Sequence, residues 1–210
     1  MSYIKTYYKS KNGTEKLSTN FLVKEFACKD GSDKILIDKE MIYILQEIRN
    51  LLGPITINSA YRTEAYNKKV GGATNSYHKK GQAFDIVDRN KNLTAICNIA
   101  NTLGVKGIIR YSTFVHIDSR ATKYHASSAG ARLTYSKHTI PFIETTQKRS
   151  KGLAVALIQF KLKSLGYTTG IVDADAGSKF DSCVRQYQKD KGLTIDGIVG
   201  KVTWNKLFNS

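Results

Sequence analysis

Acidic side chains are scarce in this sequence: 17 Asp and Glu stand against 33 Lys and Arg, a net charge of +16 over 210 residues. Such a surplus points to an anionic partner, and three kinds are compatible with it: nucleic acid, an anionic membrane, or an acidic polymer of the cell wall. Long apolar runs are missing too, since none approaches the roughly 18 residues that a membrane-spanning helix requires. The start, Met1-Ser2-Tyr3-Ile4-Lys5, lacks the apolar core and small-residue cleavage site of a secretory leader. The expectation is a chain made in the cytoplasm without a signal peptide, acting outside only after something else releases it. Cysteines number three, Cys28, Cys97 and Cys183. They are far apart and form no C-x-x-C pair, which excludes a disulfide scaffold and leaves reduced, mostly buried thiols.

What is present fits globular folding. Apolar residues make up 41% of the chain, and the length suits one large domain or two small ones. Ser18-Thr19-Asn20 leads into an apolar stretch at 21–26 that reads as one short helix. Between 38 and 52 the apolar residues Met41, Ile42, Ile44, Leu45, Ile48, Leu51 and Leu52 recur at helical spacing, with Asp38 as N-cap and Gly53-Pro54 as stop. A β-branched strand at 55–58 leads to a polar helix near 63–70, which Gly71-Gly72 ends. Strand 83–87, helix 92–103 and strands 108–110 and 114–118 complete an α+β domain with a small antiparallel sheet and helices packed to one side. Residues 119–150 read as an irregular closing segment that passes into a linker. Helices at 153–165, 180–191 and 203–208, separated by Gly-rich turns, make a small all-α three-helix domain. The expected boundaries are 1–140, a linker at 141–150, and 151–210. Residues 1–150 carry 24 Lys and Arg against 12 Asp and Glu, and 151–210 carry 9 against 5, so most of the positive charge sits on the first part.

The chemistry concentrates in residues 76–85. His78 and Asp85 lie seven positions apart across Gly81, and the strand Phe114-Val115-His116-Ile117-Asp118 supplies a second histidine. Two imidazoles and one carboxylate form three protein ligands of a catalytic zinc site, leaving a fourth position for water. His116 and Asp118 are two apart on a strand and so share a face. Asp118 is thereby placed either as general base or as the acceptor that fixes the His116 imidazole. Arg62, just after strand 55–58, is the candidate for gripping a substrate carboxylate or the developing oxyanion. Taken one by one these residues are weak signals, because H-x6-D arises by chance and a lone strand histidine is more often structural.

Together they form a pattern. Ser59-Ala60-Tyr61-Arg62-Thr63, Tyr66-Asn67, Val70-Gly71-Gly72, Ser76-x-His78-x-x-Gly81-x-Ala83-x-Asp85, Gly107, Tyr111 and Phe114-Val115-His116-Ile117-Asp118 resemble the zinc D-alanyl-D-alanine carboxypeptidase and L-alanyl-D-glutamate endopeptidase family of peptidoglycan peptidases. The match runs from about residue 17 to 120. It implies a small α+β zinc domain related to the sonic hedgehog signalling fold, one Zn2+ held by His78, Asp85 and His116, and Arg62 as the substrate or oxyanion cation. Members of that family place an acidic base three residues before the last ligand. Here that position is Thr113, so the base is not carried over and Asp118 is the first candidate. His125 and His138 lie beyond the matching blocks, His125 as a candidate for the site's periphery and His138 as a surface residue.

The last sixty residues resemble the peptidoglycan-binding three-helix module, through Leu157-x-Gln159-x-x-Leu162-x-x-Leu165-Gly166-Tyr167, Val184-x-x-Tyr187-Gln188 and Gly192-Leu193-x-x-Asp196-Gly197-Ile198-Val199-Gly200-x-x-Thr203-Trp204. An acidic-Gly turn usual in that module is altered to Asp173-Ala174-Asp175-Ala176-Gly177, and Trp204 is expected in the core. The combined expectation is an endolysin-like zinc peptidase that cleaves a stem-peptide amide and is held on the wall by its C-terminal module. Peptidoglycan is the expected partner, with anionic wall polymers as further candidates; neither nucleic acid nor membrane is expected, and the chain is expected to be a monomer. The rival readings are a non-catalytic wall-binding protein with a vestigial zinc domain, supported by Thr113, and a basic nucleic-acid binder, supported by charge alone. Which stem-peptide bond is cut does not follow from the sequence.

Overall fold

A computed structural model describes residues 3–210. Met1 and Ser2, which belong to the start read for a leader, lie outside the described residues. The chain forms two compact units, one built on residues up to 101 and 105–135, the other on residues 102–104 and 136–210.

The first unit opens with a strand the sequence reading missed. β1 (Ile4–Tyr8) runs antiparallel to β2 (Lys34–Asp38), and a single helical turn, α1 (Lys9–Asn12), follows β1. The expected helix at 21–26 is one 3-10 turn, Val23–Phe26. α2 (Lys39–Leu52) begins at Asp38, whose carboxylate accepts from the Glu40 N–H at 3.1 Å, satisfying one of the donors that a helix start leaves free. Its apolar stripe, Met41, Ile42, Ile44, Leu45 and Ile48, is fully buried.

β3 (Ile55–Ser59), α3 (Glu64–Lys69), β4 (Ala83–Asp88), α4 (Leu93–Leu103), β5 (Gly107–Arg110), β6 (Val115–Asp118) and β7 (Tyr124–Ser127) follow in chain order. The main sheet has the order β3-β4-β6-β5-β7. It is antiparallel apart from the edge, where β7 runs parallel to β5. Alternation sorts its residues onto two faces. Phe84, Ile117 and Ile108 are cross-strand partners and fully buried. On the opposite face Asp85, His116 and Ile109 stand in one row. At the β3 end of that row Ile57 pairs with Ile86 and the next pair is Ser59 with Asp85, so Asn58 is the extra residue of a β-bulge. The bulge brings Ser59 opposite Asp85.

The second unit packs α5 (Leu153–Ser164), α6 (Ser178–Asp190) and α7 (Lys201–Phe208). α5 is buried almost all round, from Ala154 through Phe160. Two loops in this unit repeat one construction. Gln159 accepts through Oε1 from the Asp173 and Ala174 N–H groups and donates through Nε2 to Asp173 Oδ1 and the Asp175 carbonyl. Gln188 accepts from the Gly197 N–H at 2.9 Å and donates to Asp196 Oδ1 and the Ile198 carbonyl. Ala174 and Gly197 take the same left-handed φ, +63° and +72°, and the helices that follow both start after a glycine, Gly177 and Gly200. Trp204 is fully buried, and its indole N–H donates to the Ile140 carbonyl at 3.0 Å.

Residues 141–150, expected as a linker, are bound into this unit. Thr146 and Val199 exchange backbone hydrogen bonds, the Arg149 N–H donates to the Ala176 carbonyl, and Phe142 meets Trp204 edge-on at 5.9 Å. The polar composition that suggested a linker hides two apolar anchors, Ile140 and Phe142.

Candidate metal centre

His78 is set by a short turn. The 3-10 helix Tyr77–Lys80 starts at Ser76, whose hydroxyl accepts from the His78 N–H, and ends at Gly81 in the left-handed region, φ +70°. Gly81 is required for space as well as φ: a Cβ there would run into the Leu36 backbone, because the Gly81 carbonyl accepts from the Asp38 N–H at 2.8 Å. The His78 carbonyl accepts from the Arg62 N–H at 3.2 Å, which ties the loop after β3 to this turn.

Asp85 and His116 come from adjacent strands and are direct cross-strand partners, so their side chains stand on one face at close range. His78 Nε2 lies 3.1 Å from both Asp85 Oδ1 and His116 Nδ1, and His116 Nδ1 lies 2.9 Å from Asp85 Oδ1. All three residues are buried. Their ligand atoms lie within 4.8 Å of one another, the one such three-residue set among the described residues.

The outer nitrogens decide what faces the centre. His78 Nδ1 is 2.7 Å from the Ala60 carbonyl, and His116 Nε2 is 3.0 Å from Asp118 Oδ2. Both partners are acceptors, so those nitrogens carry the protons, and His78 Nε2 and His116 Nδ1 turn lone pairs toward Asp85. Three electron-pair donors converging at about 3 Å in a buried site repel one another unless a cation lies among them. The residues present therefore fit a borderline metal ion such as Zn2+, with two imidazoles and a carboxylate as ligands and an acceptor fixing each ring from behind.

Around this core, each carboxylate is held by an arginine. Asp85 Oδ2 pairs with Arg62 Nη2 at 2.7 Å, and Arg62 Nε donates to Ser59 Oγ at 2.8 Å, a contact made by the residue that the bulge brings opposite Asp85. Asp118 is gripped by Arg120, Nε to Oδ1 at 2.8 Å and Nη2 to Oδ2 at 2.5 Å, and accepts the Arg120 backbone N–H at 3.0 Å. Burial raises its pKa, and the hydrogen bonds from Arg120 and His116 prevail, lowering it to about 2. Asp118 is fully buried. Room for its carboxylate comes from its cross-strand partner Gly107; a Cβ on Gly107 would fall on the carboxylate itself.

The sequence expectations meet this geometry in different ways. His78, Asp85 and His116 are brought together. Asp118 lies behind His116 with both oxygens occupied and no path to solvent, which is the place of an orienting acceptor; a proton-transfer base would need access to the reacting water. Arg62 reaches the site but grips the Asp85 carboxylate. Thr113 is exposed in the turn between β5 and β6, beside the stacked pair Tyr111 and Phe114, whose ring centroids are 4.4 Å apart. His125 is half-buried on β7, with Nε2 donating to the Val105 carbonyl at 2.9 Å and its ring against Tyr135, and it takes no part in the ligand set. Arg120, Ser59 and Gly107 were missed as site residues. An arginine two residues after the H-x-D strand end was the readable signal for the first. The three cysteines are free and buried.

Comparison with known proteins agrees with this architecture. Residues 16–118 match the family described as Peptidase M15, and residues 151–207 match a peptidoglycan binding domain. The chain is 33% identical over 104 residues to the N-acetylmuramoyl-L-alanine amidase CwlM of Mycobacterium tuberculosis, covering 50% of this chain and 22% of that protein. It is 36% identical over 67 residues to the zinc D-Ala-D-Ala carboxypeptidase of Streptomyces albus G, covering 31% and 26%. The chain thus spans about a quarter of the length of these curated relatives. A solved peptidoglycan-binding protein from Clostridioides difficile, in complex with glutamine hydroxamate, is 40% identical over 31% of this chain and 40% of that one, with a TM-score of 0.30. The two matches account for most of the chain: residues 16–118 are similar to Peptidase M15 and residues 151–207 to a peptidoglycan-binding domain.

Proposed function

We propose that the protein is a zinc-dependent peptidoglycan peptidase, endolysin-like and bacteriolytic, that hydrolyses an amide of the stem peptide while its C-terminal domain holds it on the wall. The observation that carries this reading is the buried convergence of His78, Asp85 and His116, each ring nitrogen or carboxylate oxygen turned toward the same point, in a chain that also bears a wall-binding domain. His78, Asp85 and His116 would hold one Zn2+. A zinc ion so held supplies Lewis acidity, lowering the pKa of water and polarising the amide carbonyl.

The chain's own residues do the rest. Ala60 and Asp118 fix the tautomers and planes of the two imidazoles. Arg62 and Ser59 hold the Asp85 carboxylate in one rotamer, and the guanidinium N–H groups that these contacts leave over are available to a substrate carboxylate or to the oxyanion that develops on the carbonyl. Asp118 acts as a positioning residue for His116. The C-terminal domain raises the effective concentration of stem peptides at the site by tethering. Peptidoglycan is the partner, with anionic wall polymers as secondary contacts of the cationic surface, and the working form is a monomer acting on the wall after release. No helix among the described residues is long and apolar enough to cross a membrane.

Purified peptidoglycan tests the proposal. His78→Ala and chelation should each abolish hydrolysis, and restoring Zn2+ should recover the chelated wild type. Metal analysis should give one zinc per chain, lost in His78→Ala. Hydrolysis that survives both treatments rejects the assignment, and wall binding without hydrolysis favours the non-catalytic reading. Mass spectrometry of the released muropeptides identifies the bond: a new N-terminal D-Glu means L-Ala-D-Glu endopeptidase action, and loss of a terminal D-Ala means carboxypeptidase action.

A further inference from the structure

Beside the metal centre lies a cleft of about 290 Å³ lined by Tyr77, Arg120, Ala121, Thr122, Lys123 and Tyr124. We propose that this cleft is a specificity subsite for a free carboxylate of the stem peptide, an inference that rests on the peptidase reading. Apart from Ala121, each lining residue carries a hydroxyl or a cationic group. Arg120 lies near two phenol rings, 5.0 Å from the Tyr77 centroid and 4.9 Å from that of Tyr124, and Lys80 Nζ lies 5.1 Å from the Tyr77 centroid. Arg120 spends Nε and one N–H of Nη2 on Asp118. Its remaining N–H groups, the Tyr77 and Tyr124 hydroxyls, Thr122 Oγ1 and Lys123 Nζ have no hydrogen-bond partner among the described residues.

No acid lines the cleft, and Asp118, the acid that Arg120 holds, is fully buried and already paired with the same guanidinium. The cleft therefore attracts anions, and the planar, bidentate geometry of arginine suits a carboxylate. Its volume is enough for one acidic side chain. Its place links recognition to chemistry: Tyr77 directly precedes the ligand His78, and Arg120 reaches the ligand His116 through Asp118 in two hydrogen bonds. A stem peptide anchored by its acid at Arg120 is thus held by the same side chain that orients a metal ligand.

The test uses the full-length zinc-loaded chain and a set of synthetic stem peptides in which each free carboxylate is amidated in turn. One amidation is expected to lower kcat/KM about tenfold, mainly through KM, as expected for loss of a charged hydrogen bond. Lys123→Glu should erase that discrimination and Lys123→Arg should keep it. Equal kcat/KM for every peptide, or discrimination that survives Lys123→Glu, overturns the proposal. Calorimetric titration of the same peptides into the chelated full-length chain separates this from the peptidase reading. Carboxylate-dependent binding that Lys123→Glu removes supports the subsite even if no peptide is cut, whereas binding indifferent to amidation rejects it even if hydrolysis proceeds. Tighter binding of glycerol phosphate than of the acidic peptides also overturns it, in favour of a phosphate-bearing wall polymer.

Discussion

Asp118 accepts four hydrogen bonds, three from Arg120 and one from His116, within a fully buried pocket. Asp118→Asn keeps the shape but turns an amide N–H₂ toward either Arg120 or the imidazole, so one donor meets another donor. Zinc affinity should fall roughly 10- to 100-fold, the usual cost of removing an outer partner of a ligating histidine, as read by competition with a chromophoric chelator. Gly107→Ala attacks the same group sterically, since the new Cβ would overlap the carboxylate. It should lower stability by about 1–3 kcal/mol in urea unfolding and weaken zinc binding in the same competition assay. At this scale the sequence was informative where spacing carries the message: H-x6-D and H-x-D name four residues that the fold gathers. It was silent where the message is space. Nothing in the letters around Gly107 announces that its missing side chain leaves room for the Asp118 carboxylate, and Ser59 faces Asp85 only because Asn58 bulges.

At the scale of elements, periodicity carried most of the reading. α2, α4 and the strands bearing Asp85 and His116 follow apolar patterns of period 3.6 or 2 and lie within a residue or two of where those patterns place them. β1 and β7 escaped because each shows little apolar alternation, with a single fully buried side chain in β1, Tyr7, and a single buried one in β7, Ala126. β2 is different: Ile35 and Ile37 alternate and are fully buried, a pattern masked by the stronger helix signal that starts at Asp38. The altered turn at 173–177 has a clear structural equivalent in the loop at 196–200. Ala174 occupies the left-handed conformation that glycine fills at Gly197. Ala174→Gly should therefore stabilise the helical unit by about 1 kcal/mol. Gln188→Ala removes three hydrogen bonds from the second loop and leaves the Gly197 N–H without its acceptor, so a loss of about 2–3 kcal/mol is expected. Urea midpoints of the two variants should move in opposite directions.

For the whole molecule the governing quantity is charge. A net +16 with most of the excess in the first 150 residues would give that part, on the proposed function, its own attraction for an anionic wall beside the contacts of the C-terminal domain. Raising salt from about 0.1 M to about 1 M shortens the screening length from roughly 10 Å to roughly 3 Å. The fraction pelleted with purified walls should fall over that range if long-range attraction contributes, and should stay level if binding is confined to the close contacts of the helical domain. Composition could announce this attraction but not its geometry, because the cleft beside Arg120 assembles side chains from the His78 turn and the β6–β7 connection that only the fold brings together.

Trp204 is the sole tryptophan of the chain, sealed in the helical unit with its indole N–H on the Ile140 carbonyl. Under selective excitation near 295 nm the molecule therefore glows from one place. Its emission should be blue-shifted in the native state and move red as that core opens, giving the wall-binding unit an optical signal of its own. The first unit, which has tyrosines and no tryptophan, stays dark under the same excitation.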